Sequence, residues 1–257
     1  MIQQVCRVTD NRHVGGDIHV LSFHSPEIAR SILPGQFVNV RVEDSCVPLL
    51  RRPFSVYHVH ADNVSIIFNV VGTGTKILSL KHSGDFLDII GPLGSSYNVD
   101  GDYHTGILLA GGLGVAPLPM VSSALQERGK KIKTFLGART GEQLVTTYLE
   151  NVSVATDDGS EGFEGTVVDL LHNFFRKEPR SDYKLFACGP TPMLMNLFKV
   201  VEEFHILCEV SLESSMACGI GICQGCPVER IDTEKRYSLI CREGPVFSSN
   251  AVKLESW

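Results

Sequence analysis

The chain has 257 residues, of which 43% are hydrophobic and 20% charged, a globular composition that allows more than one domain. Its formal net charge of −6 and the lack of a long Lys/Arg run argue against a nucleic-acid partner. The sequence has no apolar run of about 18 residues and no secretory signal pattern, so we expect a cytoplasmic protein without a membrane span.

The first hundred residues are predicted to form short strands separated by turns. Alternating or β-branched segments are found at 17–25, 34–42, 53–59 and 63–71. Strands at this spacing predict a small barrel or a sandwich. A short helix is predicted within 74–85, and a turn at Gly91-Pro92.

From about residue 104 the pattern changes to strands that alternate with helices. The predicted strands are 104–112, 132–139, 152–159, 182–190 and 207–213. The predicted helices are 119–130, 141–150, 165–177 and 192–204. This alternation predicts a doubly wound, parallel α/β domain. The predicted domains are therefore 1–100, 101–213 and a cysteine-rich module at 214–257.

Four of the eight cysteines lie close together near the C-terminus, with the spacing C-x4-C-x2-C-x14-C: Cys218, Cys223, Cys226 and Cys241. Disulfides rarely persist in the cytosol, so these thiols need another explanation. The spacing is that of a plant-type [2Fe–2S] cluster. A zinc site and a redox dithiol remain alternatives. Zinc sites usually pair two short knuckles, however, and a dithiol leaves two of the four thiols unexplained.

Four short motifs precede the cysteines, and each is a weak signal alone. They are Arg52-Pro53-Phe54-Ser55, Gly74-Thr75, the glycine-rich loop with Gly111, Gly112, Gly114 and Pro117, and Cys188-Gly189-Pro190. Glycines let the backbone approach a ligand, and helix N-termini attract phosphate. The adjacent Arg51 and Arg52 suit anion capture or a solvated barrel edge.

In this order the motifs resemble the ferredoxin–NAD(P)⁺ reductase superfamily. The resemblance implies an antiparallel six-stranded FAD-binding barrel followed by an NAD-binding domain. It implies FAD contacts from Arg52, Pro53, Phe54, Ser55, Asn69, Val70, Val71, Gly74 and Thr75, with Arg52 at the pyrophosphate and Ser55 near flavin N5. It implies NAD contacts from Gly111, Gly112, Gly114, Pro117, Cys188, Gly189 and Pro190, with the Cys188 thiol near the nicotinamide. Asp157 and Asp158 either favour NAD over NADP or form a turn.

The segment after Glu213 is too short for a separate ferredoxin-like domain, and it is similar to the tail of the electron-transfer subunits of dihydroorotate dehydrogenase B. Pro227-Val228, after the third cluster cysteine, departs from the small or apolar residues expected there. The resemblance implies an oxidoreductase subunit of pyrimidine biosynthesis that carries FAD and a [2Fe–2S] cluster and uses NAD as co-substrate. Electrons would pass between the FMN of a catalytic partner and NAD⁺, in a heterotetramer with two of each chain. Dihydroorotate oxidation would belong to the partner, so no catalytic residue for it is expected here.

Two other functions fit the same motifs. The chain could be a reductase subunit of another complex, such as a sulfhydrogenase, a glutamate-synthase-like enzyme or a bifurcating transhydrogenase. Some members of that group replace one cluster cysteine with a carboxylate, so four cysteines favour the pyrimidine assignment. A non-catalytic redox-sensing protein is the alternative from a different class.

Overall fold

The computed structural model describes residues 1–178, 182–231 and 235–254; the remaining residues of the predicted module 214–257 lie outside this description. The N-terminal strands are β1 (Ile2–Gly15), β2 (Ile18–His24), β3 (Phe37–Arg41), β4 (Arg52–His60), β5 (Asn63–Asn69) and β6 (Phe86–Leu93). They close an antiparallel barrel in the order β1-β2-β5-β4-β3-β6. The predicted six-stranded barrel is confirmed. Two short helices, α1 (Pro26–Ser31) and α2 (Thr73–Ser79), lie between its strands.

The barrel forms because alternate residues of its strands are apolar and point inward. Val38 and Val40 of β3 pack in the interior with Phe23, Ile66 and Ile89. β1 was not predicted, because most of its side chains are polar and exposed. The turn predicted at Gly91-Pro92 is wrong, since both residues lie inside β6. A Cβ on Gly91 would come within 2.8 Å of Val38, so this glycine permits close packing between strands.

The second sheet contains the alternating α/β elements. Its strands are β7 (Thr105–Gly111), β8 (Lys131–Ala138), β9 (Val152–Thr156), β10 (Phe163–Glu164), β11 (Tyr183–Cys188) and β12 (Leu207–Ser211). The helices are α3 (Leu118–Glu127), α4 (Val167–Lys177) and α5 (Thr191–Phe204). The six strands lie in the order β10-β9-β8-β7-β11-β12, and all of them are parallel. The order in which the chain adds strands reverses between β7 and β11, because the chain builds outward on one side of β7 and then returns to its other side. Such a reversal is where open α/β sheets bind ligands.

The helix predicted at 141–150 is wrong. The structure has a short 3₁₀ turn at Gly141–Gln143 and then an irregular loop. Val145, Thr146 and Thr147 are β-branched and favour extended backbone. The loop instead packs on the barrel, where the Tyr57 hydroxyl donates to the Thr147 carbonyl at 3.2 Å.

The C-terminal module forms strands that the sequence did not predict. They are β13 (Pro227–Arg230), β14 (Tyr237–Leu239), β15 (Val246–Ser248) and β16 (Val252–Lys253). β14, β13 and β16 form a small sheet of their own. β15 pairs antiparallel with β12 and becomes the edge strand of the nucleotide-domain sheet.

The segment between β6 and β7 is held by both later parts of the chain. Ser95 donates from its hydroxyl to the Val246 carbonyl at 3.0 Å, and Tyr97 donates to the Ala187 carbonyl at 2.8 Å. A largely buried ion pair, Lys184–Glu209 at 2.9 Å, anchors β11 and β12 beside it. These contacts fix the barrel against the parallel sheet. Within the described ranges, no helix has the length and apolar character to cross a membrane.

Candidate functional site

A cleft of about 580 Å³ lies between the barrel and the carboxyl ends of the parallel strands. Asn69 and Val71 line it from the barrel. The ends of β7, β8, β9, β11 and β12 line the opposite side. Five of the residues that were predicted to contact NAD line this cleft: Gly111, Gly112, Gly114, Gly189 and Pro190. This is where a nucleotide would be expected in an open α/β sheet.

The two predicted nicotinamide motifs meet at Gly114. A Cβ on this glycine would lie 2.1 Å from the Cys188 carbonyl oxygen and 2.7 Å from the Gly189 Cα. Only a residue without a side chain lets the two loops come so close. The glycine-rich loop and the C-G-P turn therefore form one continuous cleft floor.

Pro117 and Cys188 are buried behind this floor and are not among the residues that line the cleft. Burial, together with the nearby Glu213, raises the pKa of the Cys188 thiol well above its usual value. The thiol lies in hydrogen-bonding contact with Ser211. Cys188 is therefore a neutral buried thiol in this structure, and the expectation that it lies near the nicotinamide stays a prediction.

The two candidate specificity aspartates have different environments. Asp157 directly follows β9 and Arg139 directly follows β8, and both residues line the cleft wall. The Asp158 carboxylate instead accepts hydrogen bonds from the hydroxyl of Ser160 (2.6 Å) and its backbone N–H (3.0 Å), which lower the pKa of Asp158. Asp158 thus forms a turn, and Asp157 is the one that can act on a bound nucleotide.

The predicted flavin motifs come together at the start of α2. A Cβ on Gly74 would lie 3.1 Å from Nε of Arg52, so this glycine leaves room for the guanidinium beside the helix start. Arg51 is already engaged, because it pairs with Asp88 at 2.6 Å. Arg52 is therefore the arginine placed to meet an anionic group near α2. A cation beside a glycine-rich turn fits the diphosphate of a flavin nucleotide.

Thr75 shapes the turn that precedes α2. Its hydroxyl accepts from the N–H groups of Val71 (3.0 Å) and Gly72 (3.1 Å). At the other end of α2, the Asn11 side-chain amide donates to the carbonyls of Leu78 and Lys81. These hydrogen bonds hold α2 at both of its ends and so fix the position of its first turn.

The four cluster cysteines are arranged as two pairs. The Cys223 N–H donates to the Cys218 sulfur and the Cys241 N–H donates to the Cys226 sulfur, each at 3.4 Å. Among the described residues, no group of three or more His, Cys, Asp or Glu side chains is placed to hold a single metal ion. Two thiol pairs suit a binuclear cluster, in which each iron takes two cysteines.

The two pairs differ in their surroundings. Cys226 and Cys241 are buried, and Cys223 is exposed. Burial acts to raise the pKa of the Cys218 thiol, but hydrogen bonds from the Cys223 and Ile220 backbones outweigh it and lower the pKa to about 6. Burial and the adjacent Cys226 raise the pKa of Cys241 to about 12. The Cys218 thiol is therefore ionised more readily than that of Cys241.

The cluster loop touches the barrel at Asn39 of β3. The Asn39 side-chain amide donates to the Cys218 carbonyl at 3.0 Å. A Cβ on Gly219 would lie 2.5 Å from that amide nitrogen, so the loop lies directly on Asn39. Asn39 is also the cross-strand partner of Pro53 in the flavin motif. The cluster loop thus lies one strand away from the predicted flavin site.

Sequence reasoning missed Asn39, Asn11, Arg139 and Glu213. Glu213 follows β12 and lines the cleft, and the protein around it raises the pKa of its carboxyl by burial. None of these residues stands in a short motif, and each reaches its site through the tertiary fold. A polar Asn39 inside an apolar strand segment was the one signal available in the sequence.

The module matches the model of the iron–sulfur cluster binding domain of dihydroorotate dehydrogenase B over residues 213–253. Over almost its whole length the chain is also similar to curated proteins. It is 36% identical to the electron-transfer subunit of dihydroorotate dehydrogenase B (NAD⁺) of Lysinibacillus sphaericus, with 98% of this chain and 99% of that protein covered. The chain belongs to this family. The subunit of Desulforamulus reducens is likewise 36% identical, over 94% of this chain and 95% of that one.

Solved structures share the family fold. The structure of an NADH-dependent reduced ferredoxin–NADP oxidoreductase, described for flavin-based electron bifurcation, superposes with a TM-score of 0.86. It is 31% identical and covers 97% of this chain and 90% of that one. A ferredoxin–NADP⁺ reductase from Neisseria gonorrhoeae, solved with bound FAD and NADP, superposes with a TM-score of 0.65 at 14% identity, over 79% of this chain and 91% of that one, and shows the fold alone.

Proposed function

We propose that this chain is the electron-transfer subunit of an NAD-dependent dihydroorotate dehydrogenase. In this role it carries electrons between the FMN of a catalytic partner and NAD⁺ through a [2Fe–2S] cluster and FAD. The observation that carries the proposal is full-length membership of the family, with all four cluster cysteines present and paired. Dihydroorotate oxidation belongs to the partner subunit, which we take to form a heterotetramer with two copies of each chain.

The residues of this chain divide the work among three sites. We assign 1–100 to FAD, 101–213 to NAD and 214–257 to the cluster. Arg52 and the α2 start hold the flavin diphosphate, and Pro53 to Ser55 lie along the flavin itself. When bound, FAD exchanges two electrons as a hydride with nicotinamide and single electrons with the cluster.

The cleft residues place the nicotinamide and select it. The close contact of Gly114 with the C-G-P turn gives a flat floor on which a planar ring can lie. The Asp157 carboxylate on the wall repels a 2′-phosphate, which favours NAD over NADP. All eight cysteines are free of disulfides and four of them would hold iron, which suits a reducing compartment, so we place the chain in the cytoplasm.

The test is to tag the chain in its native cell, purify it with its bound partner, and assay dihydroorotate-dependent reduction of NAD⁺. We expect this activity to track a co-purifying FMN protein and to need iron, FAD and NAD⁺. A preparation that contains FAD and iron and oxidises NADH, but ignores dihydroorotate, would refute the pyrimidine assignment.

A second function is favoured by the likeness to the NADH-dependent reduced ferredoxin–NADP oxidoreductase, at 31% identity over 97% of this chain. In that case the partner would exchange electrons with ferredoxin and NADP⁺ instead of dihydroorotate. The same purified complex distinguishes the two. Reduction of NADP⁺ by NADH with reduced ferredoxin would support this second function, and dihydroorotate-dependent NAD⁺ reduction would support the first.

A further inference from the structure

Asn39 is a polar residue in a strand that is otherwise built for packing. Its neighbours Val38 and Val40 point into the barrel core, so Asn39 points to the outer face. Phe37 shares this face and packs in the core cluster that includes Cys226 and Cys241. Asn39 itself is only 1% exposed. The outer face of β3 is therefore the surface on which the cluster module rests.

Asn39 connects the cluster loop to the flavin motif by short contacts. Its amide donates to the carbonyl of Cys218, the first cluster cysteine, at 3.0 Å. Through the β3–β4 ladder its backbone is paired with Pro53 of the flavin motif. A chain of one hydrogen bond and one strand pairing thus runs from the cluster ligand to the flavin strand.

Packing alone does not explain an asparagine at this position. Its side-chain oxygen is buried and has no hydrogen-bond partner among the described residues. A buried polar atom without a partner destabilises the folded state, and an apolar side chain of similar shape would avoid this cost. An apolar side chain could not make the contact that the amide makes, because the amide nitrogen donates to the backbone of Cys218.

We propose that Asn39 is a positioning residue for electron transfer between the flavin and the cluster. It holds the Cys218 carbonyl against β3, the strand next to the flavin motif, which fixes the distance that the electron crosses. It also donates to the backbone of a residue that would hold iron, and such outer contacts tune the potential of a metal site. The inference deepens the proposed function and rests on its assignment of FAD and cluster to this chain.

The test uses the full chain purified with its FAD and cluster, mixed anaerobically with NADH. Each NADH gives up two electrons as a hydride and leaves as NAD⁺. The cluster takes one of these electrons and the flavin keeps the other. Flavin absorbance follows the first step, and freeze-quench electron paramagnetic resonance follows cluster reduction. A potentiometric titration gives the cluster potential.

The variant is Asn39→Leu, which keeps the branching and the number of side-chain heavy atoms and removes the hydrogen bond. We expect unchanged flavin reduction by NADH, cluster reduction slowed by about ten- to hundredfold, the usual effect of losing such an outer contact, and a shifted cluster potential. The matched control is Thr134→Val, which removes another buried, unpartnered side-chain group from β8 and should change neither rate. Wild-type cluster reduction and potential in Asn39→Leu would overturn the proposal.

Asn39→Ala is measured in parallel, because leucine could disturb the loop. If leucine alone lowers the iron content, the alanine variant carries the same expected result and the same refutation. If both variants lose iron, Asn39 only holds the loop together and the proposal is overturned. The test needs no dihydroorotate, so a wrong partner assignment would leave it intact. A wild-type chain that binds neither FAD nor iron would instead refute the proposed function.

Discussion

Gly114→Ala should separate the two loops that form the cleft floor. The new Cβ would lie 2.1 Å from the Cys188 carbonyl oxygen and 2.4 Å from its carbon, both backbone atoms. Atoms in contact normally lie at least about 3.5 Å apart, so the loops must move by about 1.4 Å. We expect overpacking to lower the free energy of unfolding by about 1–3 kcal/mol. A displacement of about 1 Å at a reacting centre can cost about a hundredfold in rate, so we expect that loss in flavin reduction by NADH.

Stopped-flow reduction of the bound flavin by NADH measures this loss, and chemical denaturation measures stability. Gly129→Ala is the matched control, since Gly129 has a φ of +67° and a Cβ there would meet nothing within 4 Å. It should cost about 1–2 kcal/mol through backbone strain and leave the rate unchanged. FAD content should stay complete in both variants. A Gly114→Ala chain that reduces its flavin at the wild-type rate would show that this contact does not set the nicotinamide position.

Three further results are expected. Asp157→Asn removes a carboxylate from the cleft wall and should raise the NADPH-to-NADH ratio of kcat/KM by about tenfold, equivalent to about 1.4 kcal/mol. An unchanged ratio would mean that other residues select between the two nucleotides. In the iron-free chain Cys218 should react first with iodoacetamide, at a rate that rises with pH through a midpoint near pH 6, because the thiolate is the reactive form. A midpoint above pH 8 by peptide mass spectrometry would show that the backbone hydrogen bonds do not lower the pKa of Cys218. Ile222→Asp should weaken binding of the FMN partner by about tenfold, since Ile222 is 76% exposed beside the exposed Cys223, whereas Leu207→Asp, at a 69% exposed position on β12, should leave binding unchanged. Equal dissociation constants of the two variants by calorimetry would mean that the partner does not bind at the cluster loop.

The parts of the fold that the sequence predicted are those with strong local patterns. The strand at β7 is a continuous apolar run that both faces of a parallel sheet require, and it was predicted almost to the residue. β1 was missed because only Cys6 and Val8 of its fourteen residues are buried, so no alternation was visible. The helix predicted at 141–150 does not form. The β-branched residues of this segment favour extended backbone, and its hydrogen bond with Tyr57 holds it on the barrel as a loop.

The candidate site divides in the same way. The four cysteines stand out in the sequence because three of them share one loop and the whole spacing is typical of a [2Fe–2S] site, although their role as ligands stays a prediction. Asn39 was not, because the sequence separates it from Cys218 by 179 positions and only the fold brings them together. Cys188 shows the converse: its backbone contacts Gly114 at the cleft floor, but its side chain is buried and does not line the cleft, so its predicted place near the nicotinamide stays a prediction.

The position of β15 links iron binding to the folding of the nucleotide domain. β15 comes after the last cluster cysteine, yet it covers the edge of the nucleotide-domain sheet beside β12. Metal binding and folding are coupled in small metal modules, so we expect a chain without its cluster to leave this edge less well covered. An uncovered sheet edge is a template for aggregation. A cell short of iron would therefore lose more than electron transfer, because newly made chains would keep an open edge next to the cleft that binds the nicotinamide.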